Sequence, residues 1–459
     1  MPSLASIDAE LLDPGFKGFP LDHPPFSVGQ AGQQQLNLLR GDLPFPCAVL
    51  RDRAMTHNSQ WYAAFARELD IDFAPHGKTT MAPQIFARQM HDGAWGITVG
   101  TVQQGWIALD GGVKRLLLAN QIASPGEARR WLSMMERYKD SRLISLLDSS
   151  AQLEMLCKAY EDWAAAHGEK PPQFEVMIEL GRTGGRTGCR SVDEALALTL
   201  QARKESAVKL VGVEAYEGLA ATGDSVKDDA MVKAWMQSLV ELVMAIEQAG
   251  GWDLDEIIIS AGGSSVFDLV ARALTEARSQ LEIARKIRII LRSGCYITHD
   301  DGHYQRLQQS MEARALTKTI REGLSLSCCD HEAIRSTWRV SSQGGLMPAL
   351  EVWACVQSRP EPGLALVTMG RRDAGFDSGL PKPVLVLRDG QLIEAPAHWR
   401  LQAMNDQHAY LLLSNEDRLR VGDLIGFGIS HPCTTFDKWR LLWVIDDHYN
   451  VRAAIRSYF

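Results

Sequence analysis

The sequence predicts an α/β fold, a (β/α)8 TIM-type barrel followed by a C-terminal all-β domain. From about residue 47 to residue 300, short apolar runs alternate with longer segments of helical period. The runs recur mostly every 20–45 residues, as parallel strands with helical crossovers require. Beyond residue 300, short alternating strands follow one another. We therefore expect an N-terminal arm and strand at 1–52 that pack on the all-β domain, the barrel at 53–318 and the all-β domain at 319–459.

The N-terminal arm and the barrel account for the first two thirds of the chain. Prolines interrupt the first residues, where only Gln33–Arg40 has the pattern of a helix. Nine strands are then expected, at Cys47–Arg51, Ile71–Pro75, Gly96–Val99, Arg115–Ala119, Arg142–Leu147, Phe174–Leu180, Lys209–Tyr216, Glu256–Ala261 and Ile287–Ser293. Amphipathic helices between them include Glu127–Tyr138, Ala151–Ala166, Val192–Lys204, Val232–Ala249 and Val266–Leu281. Because the barrel takes only eight strands, Cys47–Arg51 is assigned to a different sheet.

The last third of the chain has the pattern of a β domain. His303–Ala315 is predicted to be helical, and strands follow at Ala349–Gln357, Leu364–Met369, Val384–Arg388, Gln391–Glu394, His408–Leu413 and Arg440–Asp446. Asp389-Gly390 lies between two of these strands, which is a strong hairpin signal. The fold does not by itself assign a function, because one fold hosts many chemistries.

Composition and charge exclude several classes of function. The 459 residues carry 48 Lys and Arg against 56 Asp and Glu, a net charge of -8 without a basic block, so nucleic-acid binding is not expected. No apolar stretch is long enough to span a membrane, and the N-terminus lacks the pattern of a secretory signal. Eight cysteines are too sparse for a disulfide scaffold, so we expect free thiols and a cytoplasmic location.

A lysine follows the second predicted strand. Ile71–Pro75 leads directly into His76-Gly77-Lys78, and the catalytic side chains of a barrel lie at the C-terminal ends of its strands. Burial and the neighbouring His76 would lower the pKa of Lys78 and make its amine a nucleophile toward aldehydes. From this segment alone, a solvated lysine in a loop is the alternative.

A glycine turn follows the strand Glu256–Ala261. Residues 260–265 are Ser-Ala-Gly-Gly-Ser-Ser and open the helix that starts at Val266. Small residues at such a turn let backbone N–H groups approach a phosphate, helped by the helix dipole. A serine that caps the helix without any ligand explains the same residues equally well.

His431 and Cys433 form a second candidate site. In an extended segment, residues i and i+2 face the same side, so an imidazole and a thiolate there would chelate one cation, with a preference for zinc. Two protein ligands leave positions open for a substrate oxygen, which suits catalysis. By chance, a His-x-Cys occurs in roughly one of five chains of this composition.

The residues around Lys78 resemble a known motif. Pro75–Thr79, Pro-His-Gly-Lys-Thr, resembles the lysine motif of the D-threonine aldolase / D-serine dehydratase family, fold-type III pyridoxal 5'-phosphate (PLP) enzymes with an alanine racemase-like N-terminal domain. The family's usual form has an arginine before the proline, where this chain has Ala74. Similar stretches follow in the same order at residues 93–99, 117–121, 179–188 and 213–218, and the resemblance covers roughly residues 46–300.

The resemblance implies a PLP site with Lys78 as the Schiff-base lysine and catalytic residue. The expected cofactor-binding residues are His76, Lys78, Arg186, Tyr216, Gly262, Gly263, Ser264, Gly294 and Tyr296. The family has Pro-Gly-Ser/Thr-Tyr where this chain has Ser293-Gly294-Cys295-Tyr296, so only Gly294 and Tyr296 match it safely. From the residues alone, Arg186 is equally a surface ion-pair partner and Tyr216 equally a core tyrosine.

The resemblance also implies a reaction. D-serine dehydratases carry His-x-Cys-x-Thr and use zinc, whereas D-threonine aldolases typically carry His-x-Asp and use other divalent ions. With His431 and Cys433, we expect a PLP- and zinc-dependent dehydratase (or one using another divalent cation) that converts a small D-3-hydroxy amino acid to a 2-oxo acid and ammonia. The closest alternative is retro-aldol cleavage to glycine and an aldehyde.

Two further activities are less favoured by the sequence, namely racemisation and non-catalytic PLP binding. Racemisation has no use for a metal, and non-catalytic PLP carriers lack a β domain. Because fold-type III enzymes commonly pair, a homodimer is expected.

Overall fold

The computed structural model describes residues 3–252, 254–311 and 345–459. Its strands are β1 Leu11–Leu12, β2 Phe26–Ser27, β3 Cys47–Arg51, β4 Asp72–Phe73, β5 Ile97–Val99, β6 Arg115–Gln121, β7 Arg142–Leu147, β8 Phe174–Glu179, β9 Val208–Glu214, β10 Glu256–Ala261, β11 Lys286–Leu291, β12 Leu350–Glu361, β13 Leu364–Val367, β14 Lys382–Arg388, β15 Gln391–Glu394, β16 Arg400–Met404, β17 Ala409–Leu412, β18 Leu424–Gly428, β19 Leu441–Ile445 and β20 Val451–Arg456. Its α-helices are α1 Leu4–Asp8, α2 Asp52–Glu68, α3 Pro83–His91, α4 Val102–Asp110, α5 Pro125–Arg137, α6 Ser150–His167, α7 Val192–Ala202, α8 Ser225–Gln248, α9 Phe267–Gln280 and α10 Cys433–Phe436. Residues 303–311 are helical as well. The rest of the helix predicted at His303–Ala315, and the domain boundary predicted at 318/319, lie outside the described residues.

Eight parallel strands form the predicted barrel. Their order in the sheet is β4-β11-β10-β9-β8-β7-β6-β5. The two end strands are joined by the N–H of Trp95, which donates to the Phe73 carbonyl at 2.8 Å, and by that of Thr98, which donates to the Pro75 carbonyl at 2.9 Å. One or two buried side chains from each strand, or from the residue next to it, pack together in the interior of the barrel. They are Ala74, Trp95, Leu117, Ile144, Leu146, Met177, Val211, Ile258 and Ile290. The interior is thus a packed core, and the carboxyl ends of the strands share one face.

Short polar side chains determine where four of the crossover helices begin. The hydroxyls of Thr101, Ser124, Ser149 and Ser191 each accept a hydrogen bond from the backbone N–H three residues later, at 3.1–3.4 Å. Each bond satisfies one of the N–H groups that a helix start leaves without a partner. The helices α4 to α7 therefore start directly after these residues.

The second large sheet, which we call the β-domain sheet, is mainly antiparallel. Its main path is β15-β14-β18-β12-β13-β17-β16, and β3, β19 and β20 join it beside β12. Strand β3 pairs antiparallel with β12 and parallel with β19, so the assignment of Cys47–Arg51 to a different sheet is confirmed. The hairpin predicted at Asp389-Gly390 joins β14 to β15, and both turn residues have positive φ angles, 52° and 73°.

The N-terminal segment packs on this sheet but contains no helix at Gln33–Arg40, so that prediction is wrong. Two 3-10 turns occur instead, at Val28–Gln33 and Leu38–Arg40. Just before the second turn, the Leu36 carbonyl accepts from the N–H of Val451 at 2.9 Å, and at its first residue the N–H of Leu38 donates to the Tyr449 carbonyl at 3.1 Å. Hydrogen bonds to a distant strand thus replace those of a local helix. No helix in the described residues is long and apolar enough to cross a membrane.

Candidate active site

Lys78 lies at the carboxyl end of barrel strand β4. Residues Gly77–Thr79 form a short 3-10 turn directly after the strand extension that pairs His76 with Thr98. A side chain at position 77 has no room, because a Cβ atom there would lie 2.8 Å from the ring of Phe86. The packed turn therefore fixes the backbone of Lys78 at the mouth of the barrel.

Burial and positive charge act on the Lys78 amine. Although part of the side chain is exposed, the surrounding protein reduces its hydration and lowers the pKa of Lys78 below the ordinary 10.5. Cys433 and Cys295 act in the opposite direction, whereas Arg186 and Arg292 lower this pKa further. Burial also holds the pKa of His76 well below 6.5, and its buried Nδ1 atom has no hydrogen-bond partner in the described residues. An uncharged amine is the form of lysine that attacks a carbonyl carbon, so a lowered pKa favours this reaction.

Arg186 and Tyr216, two of the predicted cofactor neighbours, are in contact. The guanidinium carbon of Arg186 lies 4.8 Å from the centre of the Tyr216 ring, and that of Arg292 lies 6.0 Å from it. Such placement of a cation at an aromatic ring is favourable. A cavity of about 320 Å³ opens beside them and is large enough for a small ligand. Its lining includes Glu179, Arg182, Arg186, Tyr216 and Trp235.

Arg292 and Glu214 form a buried ion pair to which the sequence analysis gave no role. Their side chains are 5% and 1% exposed, and Arg292 also donates to the carbonyl of Ala215 at 2.8 Å. Arg292 Nε and Glu214 Oε2 are buried without a hydrogen-bond partner among the described residues. Burial raises the pKa of Glu214 to about 8, although Arg292 acts in the opposite direction. The sequence feature that could have indicated this ion pair is an arginine directly after the apolar end of strand β11, because a buried charge there needs a partner.

The glycine turn holds a carboxylate of the protein itself. The N–H groups of Gly262 and Gly263 donate to the two carboxylate oxygens of Glu217, at 3.1 and 2.9 Å. Gly263 also packs tightly, because a Cβ atom there would lie 2.7 Å from the Tyr216 ring. Both N–H groups expected at a phosphate are therefore already bonded to Glu217, a residue that the sequence analysis did not consider.

The serine that follows the glycines joins the turn to the next strand end. The backbone N–H groups of Gly294 and Cys295 both donate to Ser264 Oγ, each at 3.2 Å. In the described part of the chain, no acceptor takes the N–H groups of Ser264 and Ser265, which come just before α9. N–H groups without partners at the start of a helix are suited to bind an anion.

The side chain of Tyr296 is buried and contacts other residues of the core. Its ring stacks on that of Tyr62 with 4.2 Å between centroids, and its hydroxyl accepts from Gln89 at 3.3 Å. Burial raises the pKa of Tyr296, so the hydroxyl keeps its proton. The role of Tyr296 as a cofactor contact stays a prediction.

Gly294→Ala tests how tightly these segments pack. A Cβ atom at 294 would lie 2.4 Å from the His76 carbonyl oxygen and 2.7 Å from Thr79 Oγ1. Because one of these neighbours is backbone, we expect a loss of about 1–3 kcal/mol in the free energy of unfolding, measured by urea denaturation. Gly126→Ala is the control, since its nearest neighbour is the flexible Arg130 side chain at 3.3 Å. Equal unfolding midpoints for the two variants would contradict this packing.

Cys433 lies near Lys78, but on a backbone that differs from the expected one. Pro432 has helical angles (φ -64°, ψ -39°) and Cys433 begins α10, so the prediction of an extended segment is wrong. Cys433 Sγ lies 3.5 Å from Cys295 Sγ and 3.4 Å from Thr79 Oγ1. The hydrogen bond between the thiols lowers the pKa of Cys295 to about 6 and raises that of Cys433. In the sequence, Cys295 is notable only as a departure from the family motif, and its pairing with Cys433 was not predicted.

A carboxylate holds the imidazole of His431. Its Nδ1 atom lies 2.5 Å from Asp377 Oδ2, and the hydroxyl of Thr434 donates to Oδ1 of the same carboxylate at 2.6 Å. A carboxylate on one ring nitrogen leaves the other free to bind a metal, as is usual for metal-binding histidines. Within residues 3–252, 254–311 and 345–459, no three His, Cys, Asp or Glu side chains form an assembled metal site. His431 and Cys433 therefore stay a predicted pair of ligands.

Comparisons with known proteins agree with the resemblance. Residues 349–445 match the family model D-ser_dehydrat, a serine dehydratase domain. The chain is 24% identical over 235 residues to the D-threonine aldolase of Arthrobacter sp. This alignment covers 51% of this chain and 59% of that enzyme. It is 29% identical over 180 residues to the D-threo-3-hydroxyaspartate dehydratase of Delftia sp. (strain HT23), or 38% of this chain and 44% of that enzyme. The matches thus span about half the length of these two relatives.

The fold is also similar to that of a solved structure. The crystal structure of D-threonine aldolase from Filomicrobium marinum superposes with a TM-score of 0.70 at 20% identity, covering 92% of this chain and 97% of that one. The predicted fold class is confirmed, as is the resemblance on which the sequence analysis relied. The two relatives matched by sequence are an aldolase and a dehydratase, both of them lyases, which is the enzyme class predicted from the resemblance.

Proposed function

We propose that this chain, a relative of the D-threonine aldolases and D-3-hydroxy amino acid dehydratases, is a PLP-dependent lyase of D-3-hydroxy amino acids. We further propose that it dehydrates its substrate to a 2-oxo acid and ammonia with the help of zinc. The observation that carries the proposal is the position of Lys78 at a barrel strand end, next to Thr79, whose hydroxyl contacts Cys433.

The residues around Lys78 fit PLP. The amine suits the aldehyde of the cofactor, and the unpartnered N–H groups of Ser264 and Ser265 suit its phosphate. The buried atoms His76 Nδ1 and Arg292 Nε lack partners in the described residues, so they are available to the polar groups of the ring. When bound, PLP withdraws electrons from the substrate Cα and makes its proton acidic.

The side chains of the site then have separate tasks. Lys78 accepts the α-proton on Nζ, which requires the uncharged amine that burial, Arg186 and Arg292 favour. The neutral His76 adds no positive charge to this pocket. The contact of Arg186 with the Tyr216 ring limits where both side chains lie at the edge of the cavity.

His431 and Cys433 fit a zinc ion by their chemistry. An imidazole and a thiolate are donors that zinc prefers, and the carboxylate of Asp377 already orients the imidazole. A zinc ion there would act as a Lewis acid on the β-hydroxyl of the substrate and make it a better leaving group. The cysteine, in place of the aspartate typical of the aldolases, favours dehydration.

Product analysis tests the choice of reaction. With D-serine or D-threo-3-hydroxyaspartate, we expect equal amounts of 2-oxo acid and ammonia, and no product from the L-isomers. Removing the metal with a chelator is expected to lower the rate at least ~10-fold, and added zinc should restore it. Glycine and an aldehyde as the products would support retro-aldol cleavage instead, as the similarity to two D-threonine aldolases allows.

We also propose that the enzyme is a homodimer, as fold-type III enzymes commonly are. Sedimentation at micromolar concentration should then give a mass near twice the 50.8 kDa of one chain. A species of 50.8 kDa under the same conditions would contradict the dimer.

A further inference from the structure

We infer that Cys295 is a third protein ligand of the divalent ion, so that Cys295, Cys433 and His431 together form a Cys2His site with one open position. The inference rests on the proposed function, because it concerns the ion proposed at His431 and Cys433. Cys295 belongs to the turn after β11 and Cys433 to α10, so only the fold brings them together.

The two sulfur atoms have a spacing that suits a shared zinc ion. Zn–S bonds of 2.3 Å at a tetrahedral angle place two thiolates about 3.8 Å apart. Cys295 Sγ and Cys433 Sγ lie 3.5 Å apart, so an ion needs little movement of either residue. The hydroxyl of Thr79 contacts both sulfurs, at 3.8 Å from Cys295 and 3.4 Å from Cys433. These contacts help to keep the two sulfur atoms next to each other.

His431 supplies a nitrogen donor from the same loop as Cys433. The bond between its Nδ1 and Asp377 leaves Nε2 as the nitrogen for a metal. Since no assembled three-ligand group exists among the described residues, the imidazole must approach the two sulfurs when the ion binds. The loop between the donors is short, because only Pro432 separates His431 from Cys433.

The third ligand changes what the site can bind. Two thiolates and one imidazole with an open fourth position is a donor set of catalytic zinc sites, and the fourth position is where a substrate oxygen binds. Thiolates select zinc over magnesium and manganese, which prefer oxygen ligands.

A cobalt titration tests the inference without relying on catalysis. The reduced, PLP-loaded enzyme is freed of metal with a chelator and titrated with Co²⁺, and the thiolate-to-cobalt charge-transfer absorbance is recorded. Relative to wild type, Cys295→Ser should show about half the intensity and bind at least ~10-fold more weakly, since loss of a ligand costs no less than loss of its supporting hydrogen bond. Cys157→Ser is the control, because this thiol lies on α6 and contacts Glu205. The cobalt absorbance and affinity of this variant should match those of wild type.

A second measurement covers the case of a misfolded variant. With zinc bound, alkylation should spare one more thiol in wild type than in Cys295→Ser, while circular dichroism and the PLP absorbance show whether the variant is folded. Cys295→Asp should recover part of the metal affinity, because it restores a ligand. If Cys295→Ser binds cobalt with the intensity and affinity of wild type, Cys295 is not a ligand, although the metal at His431 and Cys433 stands. If wild type binds neither cobalt nor zinc, both proposals fail.

Discussion

Lys78→Ala is expected to lose the visible absorbance of lysine-bound PLP and to lower kcat at least ~10³-fold. The amine is proposed both to bind the cofactor covalently and to move the α-proton, and proton transfer by a positioned base alone contributes roughly 10²–10⁴-fold. Absorbance spectra of the purified protein and product assays measure the two effects separately.

Lys78→Arg is the matched control for this prediction. It keeps a positive charge and a long side chain but offers no amine for the aldehyde, so it should be as inactive as the alanine variant. Added methylamine should restore part of the activity of Lys78→Ala, because a free amine can replace the missing base. A coloured and active Lys78→Ala enzyme would contradict the central claim.

Arg292→Leu is expected to destabilise the barrel by about 3–5 kcal/mol, because it leaves Glu214 buried without its partner. Arg292 is 5% exposed, and its bonds to Glu214 and to the Ala215 carbonyl link strand β11 to the end of β9. The same change removes a positive charge that lowers the pKa of Lys78, so that pKa should rise. The fraction of uncharged amine at a given pH then falls, and the acidic limb of the pH–rate profile should move to higher pH.

Urea denaturation and the pH–rate profile together check the Arg292 prediction. Arg420→Leu is the control, since the Arg420–Asp389 pair is exposed on both sides and such pairs contribute about 1 kcal/mol or less. Arg292→Leu combined with Glu214→Gln should recover part of the stability, because an amide does not need the cationic partner that a buried carboxylate needs. Equal unfolding midpoints for Arg292→Leu and Arg420→Leu would show that the buried pair does not support the barrel.

The sequence predicted the barrel well because its signals are local. Each strand is a short apolar run, and Thr101, Ser124, Ser149 and Ser191 mark helix starts within a few residues. Strand β18 was missed because two of its five residues are glycines, which are depleted in strands and weaken the strand signal.

The candidate site was only partly predictable from the sequence. Lys78 and the glycine turn are visible because each directly follows a strand. The pairing of Cys295 with Cys433 joins residues 138 positions apart, which no local pattern reveals. Glu217 was overlooked because a glutamate after a strand is usually solvated, whereas here it is fully buried and accepts from both glycines.

The position of β3 affects how the chain reaches its native state. This strand, near the N-terminus, pairs with β12 across about 300 residues that include the whole barrel. Domains generally fold as units as they emerge from the ribosome, so the barrel can close before the C-terminal strands have been synthesised. Until then, strand β3 has no strand with which to pair. Completion of the C-terminal sheet is then a late, long-range step, which is intrinsically slow. Until that step, the edges of β12 and β19 stay open to pairing with another chain.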